Sequence, residues 1–235
     1  MTIKNLGCSA IEITAGCKRI FVDAFHALCD EVEVRDHDLL LFTHNDADHF
    51  DAKKLPDIRD KDICIVGPSS IVQPIIAEDK ATIGQIKPLY GFDGCVSSGM
   101  DYQGITIKSF PTPHFMDWKP VHNSYLLQVA DKNIYITGDS CLDRDIKDAL
   151  PQLDIVVCNL VDEGYIKQTE DKRFAVHHLL SYVLKILSDY YPTNIIGVHL
   201  NRFDGTPEAA DMKALVEAYG FSEIIIPSLN ETVRV

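Results

Sequence analysis

The chain has 235 residues, of which 46% are hydrophobic and 24% charged, and its formal net charge is −13. Nucleic-acid binding draws most of its affinity from Lys and Arg on phosphates, so this acidic balance disfavours a nucleic-acid partner, although a local basic pocket can still hold a small anion. No segment reaches the ~20 apolar residues of a membrane-spanning helix, and the N-terminus lacks a secretory signal. We therefore expect one cytoplasmic domain, residues 1–235, without a membrane partner.

Strand patterns dominate the first two thirds of the chain. The segment "IEITAGCKRIFVDAF" predicts two strands joined by a turn at Ala15-Gly16. "DHDLLLFTH" and "ICIVGPSS" predict short strands, "DAKKLPDIRD" a short helix interrupted by Pro56, and "SSIVQPIIAEDK" a helix that begins at Ser69 or Ser70. "YQGITIKSFPTPH" and "NSYLLQVADKNIYITGD" predict antiparallel strands, with a turn at residues 131–133.

The last third alternates strands and helices. "DIVVCNL", "NIIGVHL" and "SEIIIP" predict strands, whereas "AVHHLLSYVLKILSDYY" and "TPEAADMKALVEAYG" have apolar residues at helical spacing. Thr206 suits the N-cap of the second helix and Gly220 its end. A β-rich first part followed by β and α units predicts an α+β or layered α/β fold.

The cysteines and two isolated histidines carry little functional information. The seven cysteines are odd in number, include no CxxC pair and lie mostly in or beside apolar runs, which predicts reduced, partly buried thiols. His26 and His37 have the sequence context of surface or turn residues.

The segment "LLLFTHNDADHFD", from Leu39 to Asp51, carries the strongest functional pattern. An apolar run ends in His44, Asp46, Asp48 and His49, four side chains of metal-ligand type. Each of them alone is better explained as an exposed loop residue, but the set directly behind a buried strand is not. One strand face would point residue 49 away from the other three, and a helix would separate residues 44 and 46. A compact loop that serves two ions accounts for all four.

Three further candidates stand at the ends of apolar strands. They are His114 in "FPTPHF", Asp139 in "YITGDS" and His199 in "IIGVHL". Gly138 allows close approach of the backbone beside Asp139. A lone His in an apolar strand is more often a hydrogen-bonded core residue, but the recurrence favours a site assembled at one edge of a sheet.

These residues resemble the metallo-β-lactamase superfamily. "THNDADHFD" is similar to its H-x-H-x-D-H signature, and the seven candidates follow the superfamily order along the chain. The opening "NLGCSAIEITAGCKRIFVDAF" resembles the first hairpin of the L-ascorbate-6-phosphate lactonase-like branch, with Cys8 in place of a His. The resemblance implies a four-layer αβ/βα sandwich with a dinuclear metal site at one edge. It implies a first metal held by His44, Asp46 and His114, a second held by Asp48, His49 and His199, and a bridging Asp139.

Asp46 departs from the superfamily pattern, which usually has His there. The site then has three carboxylates instead of two, and with a bridging hydroxide its charge falls from about +1 to about 0. Carboxylates suit harder ions, so Mn or Fe is favoured as the metal pair, while Zn stays open. The diiron flavoproteins of the superfamily resemble this chain in placing a carboxylate at that position.

The resemblance implies a metal-dependent hydrolase of a small-molecule ester, lactone or phosphoester. Two ions ~3.5–4 Å apart lower the pKa of a shared water and hold it as hydroxide. Asp48 is the catalytic candidate, because it can bond this nucleophile or move its proton. Trp118, His122 and His177 are candidates for substrate contact, with His122 also a candidate proton donor. Two alternatives stay open: a diiron redox enzyme acting on oxygen or nitric oxide, and a non-catalytic metal-binding module.

Overall fold

The computed structural model describes residues 1–29, 31–89, 98–112, 114, 122–140, 146, 148–160, 188, 190–199 and 224–235. The first half of the chain contains β1 (Thr2–Gly7), β2 (Ala10–Ala15), β3 (Lys18–Val22), β4 (Leu39–Leu41), a 3-10 helix (Ala52–Lys54), β5 (Cys64–Gly67), α1 (Ser69–Ala77) and β6 (Ile86–Pro88). The second half contains β7 (Ser98–Tyr102), β8 (Ile105–Pro111), β9 (Asn123–Val129), β10 (Lys132–Ile136), β11 (Ile155–Asn159), β12 (Asn194–Val198), β13 (Ile224–Ile225) and β14 (Thr232–Arg234).

The described strands form two seven-stranded mixed sheets with the same plan. Their orders are β14-β1-β2-β3-β4-β5-β6 and β13-β12-β11-β10-β9-β8-β7. In the first sheet the pairs from β14 to β3 are antiparallel and those from β3 to β6 parallel; in the second, the pairs from β7 to β10 are antiparallel and those from β10 to β13 parallel. Parallel strands end at one edge of their sheet, so the loops that follow them gather there.

A hydrophobic core lies between the two sheets. It combines fully buried residues of the first sheet, such as Ile11 and Ile20, with residues of the second sheet, such as Ile107 and Leu127. A second cluster packs the outer face of the first sheet against α1, whose Ile71 and Ile75 are buried. Strands β4 and β5 are therefore buried on both faces, which explains their uninterrupted apolar sequences.

Most of the predicted strands are confirmed, and the differences are local. The β9–β10 turn consists of Ala130 and Asp131, both left-handed (φ 50° and 60°), because Lys132 and Asn133 already pair with β9. Helix α1 begins at Ser69, but its N-cap is Pro68 and no side chain caps it. The sequence patterns did not predict β1, β6, β7 or β14. The helices predicted near residues 175–191 and 206–220 fall, apart from residues 188, 190 and 191, outside the described residues.

Within the described part of the chain, none of the helices combines the length and apolar character that a bilayer-spanning helix needs. The five described cysteines are free thiols, of which Cys8, Cys64 and Cys158 are buried and Cys17 is exposed. The cytoplasmic location stays a prediction.

Candidate metal centre

All seven predicted ligands meet at one edge of the two sheets. His44, Asp46, Asp48 and His49 follow β4, His114 follows β8, Asp139 follows β10 and His199 follows β12. Their ligand atoms fall into two groups, within each of which all atoms lie within 4.8 Å of one another. One group is His44, Asp46 and His114, and the other is Asp48, His49, Asp139 and His199. The structure thus brings together both predicted ligand sets, while metal binding by each residue stays a prediction.

Asp139 lies between the two groups. Its Oδ1 is 3.3 Å from His49 Nε2 and 3.8 Å from His199 Nε2, whereas its Oδ2 is 3.5 Å from His114 Nε2 and 3.9 Å from His44 Nε2. Hydrogen bonds between such groups are usually ~2.7–3.2 Å long, whereas ligands bound at about 2.0–2.1 Å around a tetrahedral ion lie roughly 3.3–3.4 Å apart. Each carboxylate oxygen therefore faces one imidazole pair at a spacing that fits an intervening cation.

The other two carboxylates differ in exposure. Asp46 Oδ2 lies 3.6 Å from His44 Nε2 and 3.5 Å from His114 Nε2, and its side chain is 51% exposed. Asp48 Oδ2 lies 3.2 Å from His199 Nε2 and its side chain is 17% exposed. Because Asp139 is buried, Asp46 marks the side of the site that is open to solvent.

Asp23 and Thr43 determine the tautomers of two candidate ligands. The Asp23 carboxylate accepts hydrogen bonds from the Thr43 backbone N–H (2.7 Å), the Thr43 hydroxyl (2.7 Å) and His49 Nδ1 (2.8 Å). Since the Thr43 hydroxyl donates to Asp23, it accepts from His44 Nδ1 at 2.9 Å. In the neutral form that can bind a cation, both rings thus direct a bare Nε2 toward Asp139. Both Nε2 atoms are buried without a hydrogen-bond partner among the described residues, which fits cation binding.

The turn at Cys8 and Ser9 forms hydrogen bonds with two members of the second group, His199 and Asp48. The His199 N–H donates to the Cys8 carbonyl at 2.9 Å. Both residues are left-handed, with φ of 49° and 66°. The Ser9 hydroxyl donates to the Asp48 carbonyl at 3.1 Å, so one turn anchors both His199 and Asp48.

In the metal-free site, burial and neighbouring charges shift the pKa values of Asp139, His49 and His199 in opposite directions. Burial alone would raise the pKa of Asp139, but the imidazoles of His49 and His199 outweigh it and hold that pKa well below its ordinary value. Burial alone would lower the pKa values of His49 and His199, but Asp139 outweighs it and raises both well above their ordinary value. Burial lowers the pKa of His44 well below its ordinary value. This concentration of opposing charges is the electrostatic signature of a functional site.

The three predicted substrate-contact residues have different outcomes. His122 is 1% exposed, and its ring centre lies 5.0 Å from that of His44 and 6.0 Å from that of His114. Substrate contact by His122 stays a prediction. Trp118 and His177 lie outside the described residues.

Two predictions from sequence need correction or extension. His26 is buried rather than a surface residue, and its Nδ1 accepts the Leu28 N–H at 3.1 Å. Asp23 was missed, although it follows an apolar strand in "FVDAF" just as Asp139 does in "YITGDS". The pattern that identified Asp139, a carboxylate directly after an apolar strand, would also have identified Asp23.

Fold and site together define a layered α/β protein with a cluster of metal-ligand side chains at the edge of its sheets. The chain belongs to the beta-lactamase superfamily domain family, whose model matches residues 2–184. This membership and the two mixed sheets confirm the predicted four-layer αβ/βα sandwich. The likeness to the L-ascorbate-6-phosphate lactonase-like branch stays a prediction.

Three solved structures illustrate how far this fold extends. A protein from Veillonella parvula described as "a possible metal-dependent hydrolase" has a TM-score of 0.72 at 15% identity, over 100% of this chain and 99% of its own. The metallo hydrolase Igni18 from Ignicoccus hospitalis has a TM-score of 0.67 at 18% identity, over 99% and 98%. The diiron β-hydroxylase CmlA from Streptomyces venezuelae has a TM-score of 0.67 at 13% identity, and the match covers 100% of this chain and 54% of CmlA. Comparison with curated protein sequences gives no match.

Proposed function

We propose that the protein is a metal-dependent hydrolase that uses a dinuclear site to cleave a small ester, lactone or phosphoester. The observation that carries the proposal is the position of Asp139, whose two oxygens face two different imidazole pairs. Of the similar structures, one is described as a possible metal-dependent hydrolase and another as a metallo hydrolase, which supports the reaction class.

The residues fit two cations. His44, Asp46 and His114 would hold the first, Asp48, His49 and His199 the second, and Asp139 both. The fit rests on the bare, buried Nε2 atoms and on the fixed Nδ1 hydrogen bonds of His44 and His49. Once bound, a pair of divalent ions lowers the pKa of a shared water and polarises the oxygen of the scissile bond.

The protein side chains supply proton transfer and access. Asp48 is partly exposed beside His199, where its carboxylate can accept a proton from the attacking water and pass it to the leaving group. Asp46 lies on the solvent side, so a small substrate approaches past Asp46 rather than through the buried face formed by Asp23 and Thr43. We propose a small molecule as the substrate partner.

Three carboxylates in one site favour harder ions, and we propose Mn or Fe rather than Zn as the physiological pair. Metal analysis of protein purified without added metal tests this choice. Two equivalents of Mn or Fe per chain support it, and two tightly held Zn per chain contradict it.

The hydrolase activity is tested with protein loaded separately with Mn, Fe or Zn, against panels of esters, lactones and phosphoesters. We expect metal-dependent turnover of one substrate class that the Asp139→Asn variant loses. Asp131→Asn, in the exposed β9–β10 turn, is the matched control and should retain full turnover. Full metal occupancy without turnover of any class contradicts the proposal and leaves a redox enzyme or a non-catalytic metal-binding module.

Diiron redox chemistry is the second candidate. It is favoured by Asp46 and by the shared fold of CmlA, which is described as a diiron β-hydroxylase. Oxygen uptake by the reduced, iron-loaded protein, with no hydrolysis in any panel, would establish this candidate over the hydrolase.

A further inference from the structure

Asn159 ends the buried strand β11, and its side chain contacts Asp139. The strand has the sequence IVVCN, and all five of its residues are buried. The Asn159 Nδ2 donates a hydrogen bond to Asp139 Oδ1. Because an ionised carboxylate can only accept, the amide nitrogen rather than the amide oxygen faces Asp139. A buried amide is costly unless it is hydrogen-bonded, and the partner here is the residue that lies between the two predicted ligand sets.

The sheet places Asn159 between two strands that lead to candidate ligands. On one side β11 pairs in parallel with β10, which precedes Asp139, and on the other with β12, which precedes His199. Asn159 itself pairs with Val198, the residue before His199. Its backbone N–H also faces the Thr137 hydroxyl oxygen at 3.4 Å. A donor on a strand that is paired on both sides is held more precisely than a donor on a loop.

The backbone of Asp139 does not by itself fix the directions of its two carboxylate oxygens. The terminal torsion of an aspartate is broad, so rotation about the Cβ–Cγ bond turns both oxygens at low cost. In the structure Oδ1 faces the Nε2 atoms of one imidazole pair, His49 and His199, and Oδ2 faces the other pair. A quarter turn would direct neither oxygen at its imidazole pair. The hydrogen bond from Asn159 to Oδ1 therefore selects the orientation that serves both ligand sets.

The Asn159 amide is a partner of Asp139 that metal binding leaves in place. The carboxylate lies 3.3 Å, 3.8 Å, 3.5 Å and 3.9 Å from the four imidazoles that face it, and two bound ions would occupy the space between these groups. An amide nitrogen has no lone pair for a cation and carries no titrating proton, so its hydrogen bond to Oδ1 remains when ions enter. Asn159 can therefore hold Asp139 in the metal-free and in the metal-bound protein.

An amide supplies this donor without changing the charge of the site. A lysine or arginine at residue 159 would place a positive charge beside two cations, and a further carboxylate there would repel Asp139. A neutral donor avoids both effects. Asn159 thus combines a fixed position on β11 with the chemistry that a carboxylate shared by two cations requires.

We propose that Asn159 is a positioning residue for the bridging carboxylate. Its amide holds Asp139 so that Oδ1 meets the second ion and Oδ2 the first, and it acts through Asp139 rather than on the substrate. Without the amide the carboxylate rotates, and the two ions are no longer held on a shared ligand. Hydrogen-bond partners of metal ligands typically contribute about 10–100-fold to metal affinity. The inference rests on the proposed dinuclear site.

Manganese titration of the metal-free protein tests this role without an activity assay. Two Mn²⁺ ions that share a bridging ligand are exchange-coupled, and their electron paramagnetic resonance spectrum has a narrower hyperfine spacing than that of a single Mn²⁺. We expect the coupled spectrum in the wild type. Asn159→Leu removes the amide at similar size, so calorimetric titration should show about 10–100-fold weaker Mn²⁺ binding, mainly at the second ligand set, which Oδ1 faces. At saturating Mn²⁺ the exchange coupling of this variant should still be weaker than that of the wild type, because the carboxylate is no longer held between the ions.

Asn123→Leu is the matched control for Asn159→Leu. Asn123 is also a buried asparagine, but its Nδ2 donates to the Leu89 carbonyl at 3.1 Å and the Tyr125 hydroxyl at 3.3 Å rather than to a candidate ligand. This variant should unfold at a lower temperature and keep the Mn²⁺ affinity and the exchange coupling of the wild type. Asn159→Ala removes the same donor without added bulk, and it takes the place of Asn159→Leu if that variant does not fold.

The outcomes separate positioning from a general contribution to folding. Unchanged coupling at saturating Mn²⁺ in a folded variant at residue 159, with or without weaker affinity, overturns the inference but leaves the dinuclear site intact. A crystal structure of the Mn-loaded wild type needs no variant: Asn159 Nδ2 should lie within ~3.2 Å of an Asp139 oxygen that binds an ion, and an amide turned away from Asp139 overturns the inference. A wild type that binds no Mn²⁺, or binds two without exchange coupling, contradicts the dinuclear hydrolase as well.

Discussion

Asp23 Oδ2 lies 2.8 Å from Nδ1 of His49, and both side chains are almost completely buried. The carboxylate fixes the tautomer of the ring and makes its Nε2 a stronger donor to a cation. Asp23→Asn removes the charge and should weaken metal binding at the second ligand set about 10–100-fold. The first set should weaken less, because Asp23 reaches His44 only through the Thr43 hydroxyl. Calorimetric titration of the metal-free variant measures this change.

Asp38→Asn is the matched control for Asp23→Asn. Asp38 is also a buried aspartate, but it pairs with Arg19 at 2.5 Å, away from the seven candidate ligands. We expect Asp38→Asn to lower the thermal unfolding temperature without changing metal affinity. Equal metal affinities of both variants would contradict the role assigned to Asp23.

The sequence identifies the ligands because each has a recognisable side chain at the end of an apolar strand. His114 and Asp139 were found in this way without knowledge of the sheet order. Thr43 was not predicted, because a hydroxyl group acquires its role only from the partners that the fold brings close to it. The hydrogen bonds that link His122, Thr112 and Ser124 are hidden for the same reason, because nothing in the sequence distinguishes these two hydroxyl residues from others.

The missed strands have a similar cause. β14 has three residues and exists because Thr232–Arg234 pair with β1 at the other end of the chain. β6 also has three residues, and its pairing with β5 rather than its own pattern makes it a strand. Periodicity within one segment cannot detect either contact.

Gly138→Ala should be much more destabilising than Gly16→Ala. Both glycines are left-handed, with φ of 57° and 63°, so alanine carries a similar backbone cost of about 1 kcal/mol at each. Only at Gly138 would the added Cβ also collide with His122 and Thr43, whereas Gly16 has nothing within 4 Å. We expect an additional ~1–3 kcal/mol for Gly138→Ala.

Urea unfolding of the two metal-free variants measures this difference. Gly16→Ala measures the backbone cost alone. The difference in unfolding free energy between the two variants therefore measures the cost of the contact between the added Cβ, His122 and Thr43. Equal unfolding free energies would mean that His122 does not occupy the position described here.

His26 should make the metal-free protein less stable in acid. Burial lowers the pKa of His26 to about 4, from an ordinary value of 6.5 in the unfolded chain. Below pH 6.5 the unfolded chain therefore binds a proton that the folded protein excludes until about pH 4. The contribution of neutral His26 is fully present above pH 6.5 and is lost as the pH falls toward 4, at up to about 1.4 kcal/mol per pH unit.

The variant His26→Asn tests this pH dependence. The Asn side-chain oxygen can accept the Leu28 N–H in place of Nδ1, but it does not titrate. Between pH 6.5 and 4 the unfolding free energy of the variant should fall less steeply than that of the wild type. The difference in slope should correspond to the uptake of close to one proton on unfolding. His44 and His122 titrate in both proteins, so their effects cancel. Parallel curves would show that His26 is protonated in the folded protein.

Asp46→His should shift the metal preference toward zinc. Asp46 lies about equally far from the Nε2 atoms of His44 and His114, at 3.6 Å and 3.5 Å, so a group at this position reaches the first ion. Replacing the carboxylate by an imidazole removes one negative charge from the site and gives it a donor that suits Zn better than Mn. The ratio of bound Zn to Mn, measured after dialysis of the metal-free protein against equal concentrations of both ions, should rise at least tenfold.

Asn45→His adds the same imidazole to the neighbouring exposed position and should leave the ratio unchanged. If both variants keep the ratio of the wild type, Asp46 does not bind the ion, and the charge argument for Mn or Fe fails with it.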